Sequence, residues 1–471
     1  MAKKGAVFAG SSLVLTYALW DPKYLSCESI KGIKQFSSSP GEQGSASTIS
    51  LLSDSQVTQR LRQMEESYFV RRGRGILRYD SAQLPSNAPI EDTRVEQVIT
   101  FPSTQPGADE DLYFFGVFDG HSGPYTSANL ARTLVPYVAH QLGQVYNSVS
   151  ESGPSSSSAV DAAITSAFLN LDRDLVQGSL GNLFKDPSKK NLASALPAIS
   201  GSCALLTMFD SSNSCLKCAV TGDSRALLGI QDPDGQWSVK ALSVDQTGDN
   251  PEEVERIRSE HPGEPGAVRN GRVLGSLQPS RAFGDYRYKV KELFGKTVQD
   301  LPDHLKVYFR REPRNFNSPP YVTAEPVITT THVDSNSKFM VLASDGLFEL
   351  LNNEEVMNLV VEWMNKERGS DINIKSVVAA PKAMSTFEST PSKCFIEDNN
   401  AATHLIRNAL SSGGQRDYVS TLVSIPSPMS RKYRDDLTVT VVFFGDEADP
   451  SQVSGELSLN HNATAPPKPK L

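Results

Sequence analysis

Tyr113-Phe114-Phe115-Gly116-Val117-Phe118-Asp119-Gly120-His121-Ser122-Gly123 is the stretch on which the fold turns. The apolar, aromatic-rich run up to Phe118 reads as a buried strand. Asp119 follows without a spacer, so a carboxylate is held at the strand mouth. Burying such a group alone is costly, and a metal ion, a set of hydrogen-bond donors or solvent must compensate it. A single Asp-Gly after a strand is an ordinary turn, because glycine supplies positive φ and aspartate caps its own backbone. The same order recurs, however, at Phe339-Met340-Val341-Leu342-Ala343-Ser344-Asp345-Gly346, and the pair Asp435-Asp436 directly precedes the apolar run Leu437 to Phe444. Three carboxylate-bearing strand ends imply a shared oxygen-ligand site. Oxygen-only donors favour Mg²⁺, Mn²⁺ or Ca²⁺ over zinc or copper, and clustered carboxylates suit two ions that clamp an in-line displacement at phosphorus.

A chain of 471 residues with 38% hydrophobic content is long enough for a large core, and length alone would allow two or three domains. The carboxylates must converge from distant positions, which argues for one catalytic domain over residues 66–446. A net charge of −8 leaves no electrostatic footprint for nucleic acid. The five cysteines, Cys27, Cys203, Cys215, Cys218 and Cys394, are sparse and odd in number, which fits a reducing compartment better than a disulfide framework. Cys215-Leu216-Lys217-Cys218 has redox or half-zinc spacing, but no second Cys/His pair lies nearby and structural cysteines are expected.

Residues 1–36 read as a targeting or membrane-anchor segment: Met1-Ala2-Lys3-Lys4 precedes the uncharged run Gly5 to Trp20. That run is shorter than the roughly 20 residues of a comfortable membrane span. It is compatible with a short membrane anchor, a secretory h-region or part of an organellar signal. Residues 37–65, rich in serine at their start, read as a flexible linker. Leu130, Leu134, Val138 and Leu142 recur every four positions and predict a helix over Tyr125–Leu142 that packs on the strand carrying Asp119. Helical spacing resumes over Asp161–Leu175. Runs at 204–209, 216–220, 225–230 and 237–242 predict a meander of antiparallel strands. Asn352-Asn353 caps a helix from Glu354 to about Asn365. Residues 369–391 read as a loop and 447–471 as a disordered tail, whose final Pro469-Lys470-Leu471 is a variant of the peroxisomal Ser-Lys-Leu address.

The ordered motifs Phe118-Asp119-Gly120-His121-Ser122-Gly123, Ser200-Gly201-Ser202-Cys203-Ala204, Gly222-Asp223-Ser224-Arg225-Ala226, Ser280-Arg281-Ala282-Phe283-Gly284-Asp285, Ala343-Ser344-Asp345-Gly346 and Arg434-Asp435-Asp436-Leu437-Thr438-Val439 resemble the metal-dependent type-2C protein serine/threonine phosphatases. Individually such elements are weak; six in this order are specific. Within the family, Ser86-Asn87-Ala88-Pro89-Ile90-Glu91-Asp92, Pro319-Pro320-Tyr321-Val322-Thr323-Ala324-Glu325-Pro326 and Asn399-Asn400-Ala401-Ala402-Thr403-His404-Leu405-Ile406-Arg407 are similar to the mitochondrial pyruvate dehydrogenase phosphatase branch, as is the long insert 286–318.

The resemblance implies an α+β fold of two stacked antiparallel β-sheets flanked by helices. It also implies hydrolysis of phosphoserine on the pyruvate dehydrogenase complex, mitochondrial delivery, and two Mg²⁺ or Mn²⁺ ions. Asp119 would bridge the ions and Gly120 would add a carbonyl. Asp345 and Asp435 would complete one ion's shell, Glu91 would serve the other, and Asp92 would act through water. Asp436 competes with Asp435, whose register after Arg434 matches the motif better. His121 resembles the family's general acid, which protonates the departing seryl oxygen. Many relatives carry an arginine for the substrate phosphate where this chain has Asn87, so Asn87 is the implied phosphate contact and phosphate binding must lean more on the metals and on other groups. Glu349 stands where many have an aspartate, so a weaker third metal site formed with Asp223 is implied. The alternatives are a phosphatase for another, peroxisomal, substrate and a pseudophosphatase binding module; loss of ligands would mark the latter, and every carboxylate of the two-metal core is present. The insert carries Arg287, Lys289, Lys291, Lys296, Lys306, Arg310, Arg311 and Arg314 against Glu292, Asp300, Asp303 and Glu312. This local positive excess suits either a solvated surface or docking on an acidic face of a large complex.

Overall fold

The computed structural model describes residues 33–34, 49–72, 74–101, 110–149, 157–368, 394–446 and 454–466. Twelve of its strands form the two large sheets and are numbered here in chain order: β1 Glu66–Arg71, β2 Ile76–Leu84, β3 Thr93–Phe101, β4 Glu110–Phe118, β5 Ala204–Asp210, β6 Cys215–Thr221, β7 Arg225–Gln231, β8 Trp237–Ala241, β9 Val327–His332, β10 Ser337–Ala343, β11 Leu437–Phe444 and β12 Glu456–Leu459. One sheet has the order β9-β6-β5-β4-β3, the other β8-β7-β10-β11-β2-β1-β12, with every pairing antiparallel.

The apolar run of β4 is explained by burial on both faces. Leu112, Phe114 and Phe118 pack beneath Leu130, Leu134, Val138 and Leu142 of the helix Tyr125–Val149. Tyr113, Phe115 and Val117 point into the layer between the sheets and share a core with Met340, Leu342, Val442 and Phe444. A strand covered on both sides has no polar face, so its sequence does not alternate. Each such side chain contributes about 1.5–3 kcal/mol on burial. The outer face of the seven-stranded sheet is covered by the helices Asp54–Leu61, Asn353–Arg368, Ala401–Ala409 and Arg416–Ser424, which meet Leu84, Val341, Val439 and Val441 in a third core. The result is the expected pair of stacked antiparallel sheets between helical layers.

Four local expectations are corrected. The strands after residue 204 are not one meander: β5 and β6 pair in the five-stranded sheet, whereas β7 and β8 pair in the other. The turn at Gly222 (φ +113°) carries the chain across the sandwich, and a Cβ there would run into Cys203. A turn between two apolar runs looks the same in sequence whether it makes a hairpin or changes layers. Folded structure also starts before residue 66, because helix Asp54–Leu61 is capped by Ser53 and buries Val57 and Leu61. The first large helix runs on to Val149, and its successor starts earlier than predicted, at Ser157. Finally, the tail is not wholly without order: β12 adds to the edge of the seven-stranded sheet beside β1.

The segment from Pro251 to Val322, which includes the insert, forms a lobe with its own small core of Ile257, Val273, Leu274, Tyr288, Phe316 and Tyr321. The cysteines Cys203, Cys215, Cys218 and Cys394 are free, and Cys218 belongs to the inter-sheet core. Among the described residues no helix is long and apolar enough to cross a membrane. The run 5–20, the loop 369–391 and the terminal tripeptide lie outside the described residues.

Candidate active site

Strand direction brings the sequence-predicted carboxylates to one end of the sandwich. Asp119 follows β4, Asp345 follows β10, Asp223 sits between β6 and β7, Glu91-Asp92 precedes β3 and Asp435-Asp436 precedes β11. A cleft of about 510 Å³ opens there, and its lining includes Glu91, Asp119, Gly120, His121, Asp223, Asp345, Glu349 and Asp435. Oxygens of Asp119, Asp223 and Asp345 lie within 4.8 Å of one another. Asp345 Oδ1 is buried without a hydrogen-bond partner.

Burial, and then the neighbouring carboxylates, push Asp119 and Asp345 well above the usual carboxylate range. Asp92 is raised to about 8 by burial and by Asp436. Burial lifts Asp435 to about 6 against the pull of Arg431. Carboxylates this close repel unless protons or cations stand between them. An all-oxygen set with one buried oxygen left unpartnered therefore fits hard divalent cations.

The adjacent Asp435 and Asp436 are separated by geometry. Asp436 turns away from the cleft and accepts from Ser86 N (2.5 Å), Ser86 Oγ (3.0 Å), Asn87 N (3.1 Å) and Glu91 N (2.9 Å). It ties the segment 86–91 to the start of β11, leaving Asp435 to face the cleft. Asp92 is buried behind the lining, where its Oδ2 accepts from Thr438 Oγ1 at 2.8 Å.

Glu91 is held from two sides: Gly123 N donates to Oε1 at 2.5 Å and Asn87 Nδ2 to Oε2 at 3.2 Å. Asn87 Nδ2 also reaches Asp436 Oδ2 at 3.4 Å, and Asn87 is not among the residues lining the cleft. The asparagine therefore orients Glu91 instead of reaching into the cleft, where a phosphate contact was expected of it. Gly120 passes so close to the Glu91 carbonyl that any Cβ there would collide with it.

A short three-stranded ladder, Gly120–His121 with Gly201–Ser202 and Phe283–Gly284, sets the histidine. It places His121 Nε2 2.5 Å from Asp285 Oδ2. Burial disfavours the charged imidazole, but the Asp285 carboxylate outweighs it and raises the His121 pKa. Asp285 is itself fixed: it sits in the left-handed region at φ +49° and its N donates to Ser200 O at 2.9 Å. The Phe283-Gly284-Asp285 motif carried a signal for this partner, although its spacing from His121 did not. Cys203 Sγ lies 3.1 Å from Asp223 Oδ1, and Glu349 N donates to Asp345 O at 2.8 Å.

The cleft has a second, basic wall of Arg272, Arg287, Arg310 and Arg431. Arg431 Nη1 lies 2.6 Å from Asp435 Oδ2. The other three come from the Pro251–Val322 lobe. Arg310, one of the insert's basic residues read as either solvated surface or docking face, is exposed and also lines the cleft. The charge excess of the insert marked Arg287 and Arg310 as basic residues but not as cleft residues, and nothing marked Arg272 or Arg431, because loop residues converge without periodicity.

The protein phosphatase 2C family model matches residues 91–415. The chain is 54% identical to the Saccharomyces cerevisiae protein named pyruvate dehydrogenase (acetyl-transferring)-phosphatase 1, mitochondrial, over 99% of this chain and 89% of that protein. It is 42% identical to a protein phosphatase 2C homolog of Schizosaccharomyces pombe over 83% of this chain and 85% of that one. A human protein with the same name as the Saccharomyces relative is 33% identical over 78% of each.

Proposed function

The chain belongs to the protein phosphatase 2C family of metal-dependent protein serine/threonine phosphatases, and we propose that its substrate is phosphoserine of the pyruvate dehydrogenase complex, which it reactivates in mitochondria. Supporting this is the 54% identity to a mitochondrial pyruvate dehydrogenase phosphatase along 99% of the chain. The intact carboxylate floor of the cleft favours an active enzyme over a pseudophosphatase.

In this proposal Asp119, Gly120 through its carbonyl, Asp345, Asp435 and Glu91 hold two Mg²⁺ or Mn²⁺ ions, with Asp92 behind them. Asp223 and Glu349 serve a weaker third site. Such ions, when bound, neutralise phosphate charge and acidify a water to nucleophilic strength. Asn87 and Gly123 keep Glu91 turned to the cleft, and Asp436 keeps the strand ends in register. His121 carries a proton for the departing seryl oxygen. Asp285 occupies Nε2, so Nδ1 is the nitrogen that delivers it.

The test is release of phosphate from phosphorylated pyruvate dehydrogenase complex by the purified protein with Mg²⁺ or Mn²⁺, with the vanishing phosphosites identified. Phosphosites lost only from other proteins would refute the substrate. A peroxisomal instead of mitochondrial pattern for a fusion that leaves both ends of the chain native would refute the location.

A further inference from the structure

The three lobe arginines of the cleft, Arg272, Arg287 and Arg310, have no carboxylate partner among the ion pairs of the described residues. Arg272 Nη2 donates to the neutral Gln278 Oε1 at 3.0 Å. Arg287 lies over the Tyr288 ring at 4.8 Å, and its Nε is buried without a hydrogen-bond partner. Arg310 is exposed at the cleft. Two other arginines of the lobe do have a carboxylate: Arg281 and Arg256 both bind Glu253, at 2.7 and 2.8 Å. The buried, unmet Nε of Arg287 is unfavourable until an acceptor arrives, and the exposed Arg272 and Arg310 add positive charge to the same cleft. The lobe has a small core of its own, and its insert also packs Tyr286, Leu301 and Leu305 into the core beneath β4.

Resting on the phosphoserine-phosphatase reading above, we infer that Arg287 and Arg310 form a subsite for acidic side chains flanking the phosphoserine, so that the enzyme selects acidic phosphopeptides. Guanidinium forks match carboxylates in geometry and charge. A phosphate seated on the carboxylate floor leaves its flanking residues to run along the opposite wall, where these arginines meet them.

The experiment compares kcat/KM on three substrates: a phosphoserine peptide with flanking Asp and Glu, its counterpart with Ala at those positions, and p-nitrophenyl phosphate. Wild type should prefer the acidic peptide over the neutral one by about tenfold, the size of one good charge-assisted contact. Added salt should reduce that preference. In Arg287→Ala/Arg310→Ala the loss on the acidic peptide should exceed the losses on the other two substrates by about the same factor. Arg287→Lys/Arg310→Lys should restore part of the preference, which controls for misfolding. A preference that survives the Ala pair overturns the inference. So do equal losses on all three substrates, which would make these arginines grips for the phosphate itself. Absence of hydrolysis of every substrate by wild type would instead refute the phosphatase reading beneath it.

Discussion

The carboxylate floor and the arginine wall of the cleft differ in how they are held. Asp119, Asp223, Asp345 and Asp435 each follow or precede a strand of the sandwich, so three buried cores fix where they stand. Arg272, Arg287 and Arg310 ride on a two-residue hairpin strand, a one-turn helix and a loop, outside the two large sheets. The floor brings like charges together inside the fold, which only a rigid frame can enforce. The wall keeps its charges solvated or stacked on a ring and is free to differ between enzymes of one chemistry. Rigid scaffolds position reaction groups, and surface loops vary recognition.

Within the floor, two neighbouring aspartates offer the sharpest test of this division. Asp435→Ala should lower phosphatase activity roughly a hundredfold or more, as loss of a metal ligand does, with little change in Tm. Asp436→Ala strips the acceptor from Ser86 N, Asn87 N and Glu91 N, so it should destabilise the fold by about 3–5 kcal/mol. Denaturant unfolding and activity assays on both variants decide it. Equal effects of the two substitutions would erase the distinction between ligand and brace.

A smaller effect is expected at His121, where floor and lobe meet through Asp285. His121→Ala should cost about a hundredfold on phosphopeptides and far less on p-nitrophenyl phosphate, whose leaving group needs no proton. Asp285→Asn removes the charge that raises the His121 pKa. The alkaline limb of the phosphopeptide profile should then move to lower pH. Equal losses on both substrates would remove the histidine from the acid role.

The smallest effect concerns pH and stability. Asp119, Asp345, Asp92 and Asp435 all have raised folded-state pKa values, the last two to about 8 and about 6. Groups shifted upward contribute stability below their unfolded pKa and lose it as pH rises through the folded value. In chelator, Tm should therefore fall by about 2–4 °C between pH 5 and pH 8. Mn²⁺ or Asp119→Asn should flatten that fall, whereas Arg287→Ala in the wall should not. A wild-type Tm indifferent to pH in chelator would contradict the mutual repulsion of the floor.

The same contrast explains what was legible beforehand. Asp119 and Asp345 were visible because an apolar strand followed by Asp-Gly leaves a local signature, and the recurrence of that signature located the floor. Asp285 reached His121 across 164 residues through a ladder of two-residue strands, which no periodicity reveals. Asn87 looked like a substrate contact by position, yet its amide is occupied by Glu91 and Asp436. The layer change at Gly222 and the edge strand β12 were missed for a related reason. Both depend on which sheet accepts a short segment, a decision made by tertiary packing and not by local pattern.

The central claim is that the buried floor is built to hold divalent cations in place of protons. Calorimetric titration of Mn²⁺ into chelator-stripped protein at pH 7.5, repeated in two buffers of different ionisation enthalpy, tests it most directly. The result expected is saturable binding accompanied by proton release, because raised carboxylates surrender their protons to the metal, with both lost in a folded Asp119→Asn variant. Absence of binding, or binding without proton release that persists unchanged in Asp119→Asn, would contradict the claim.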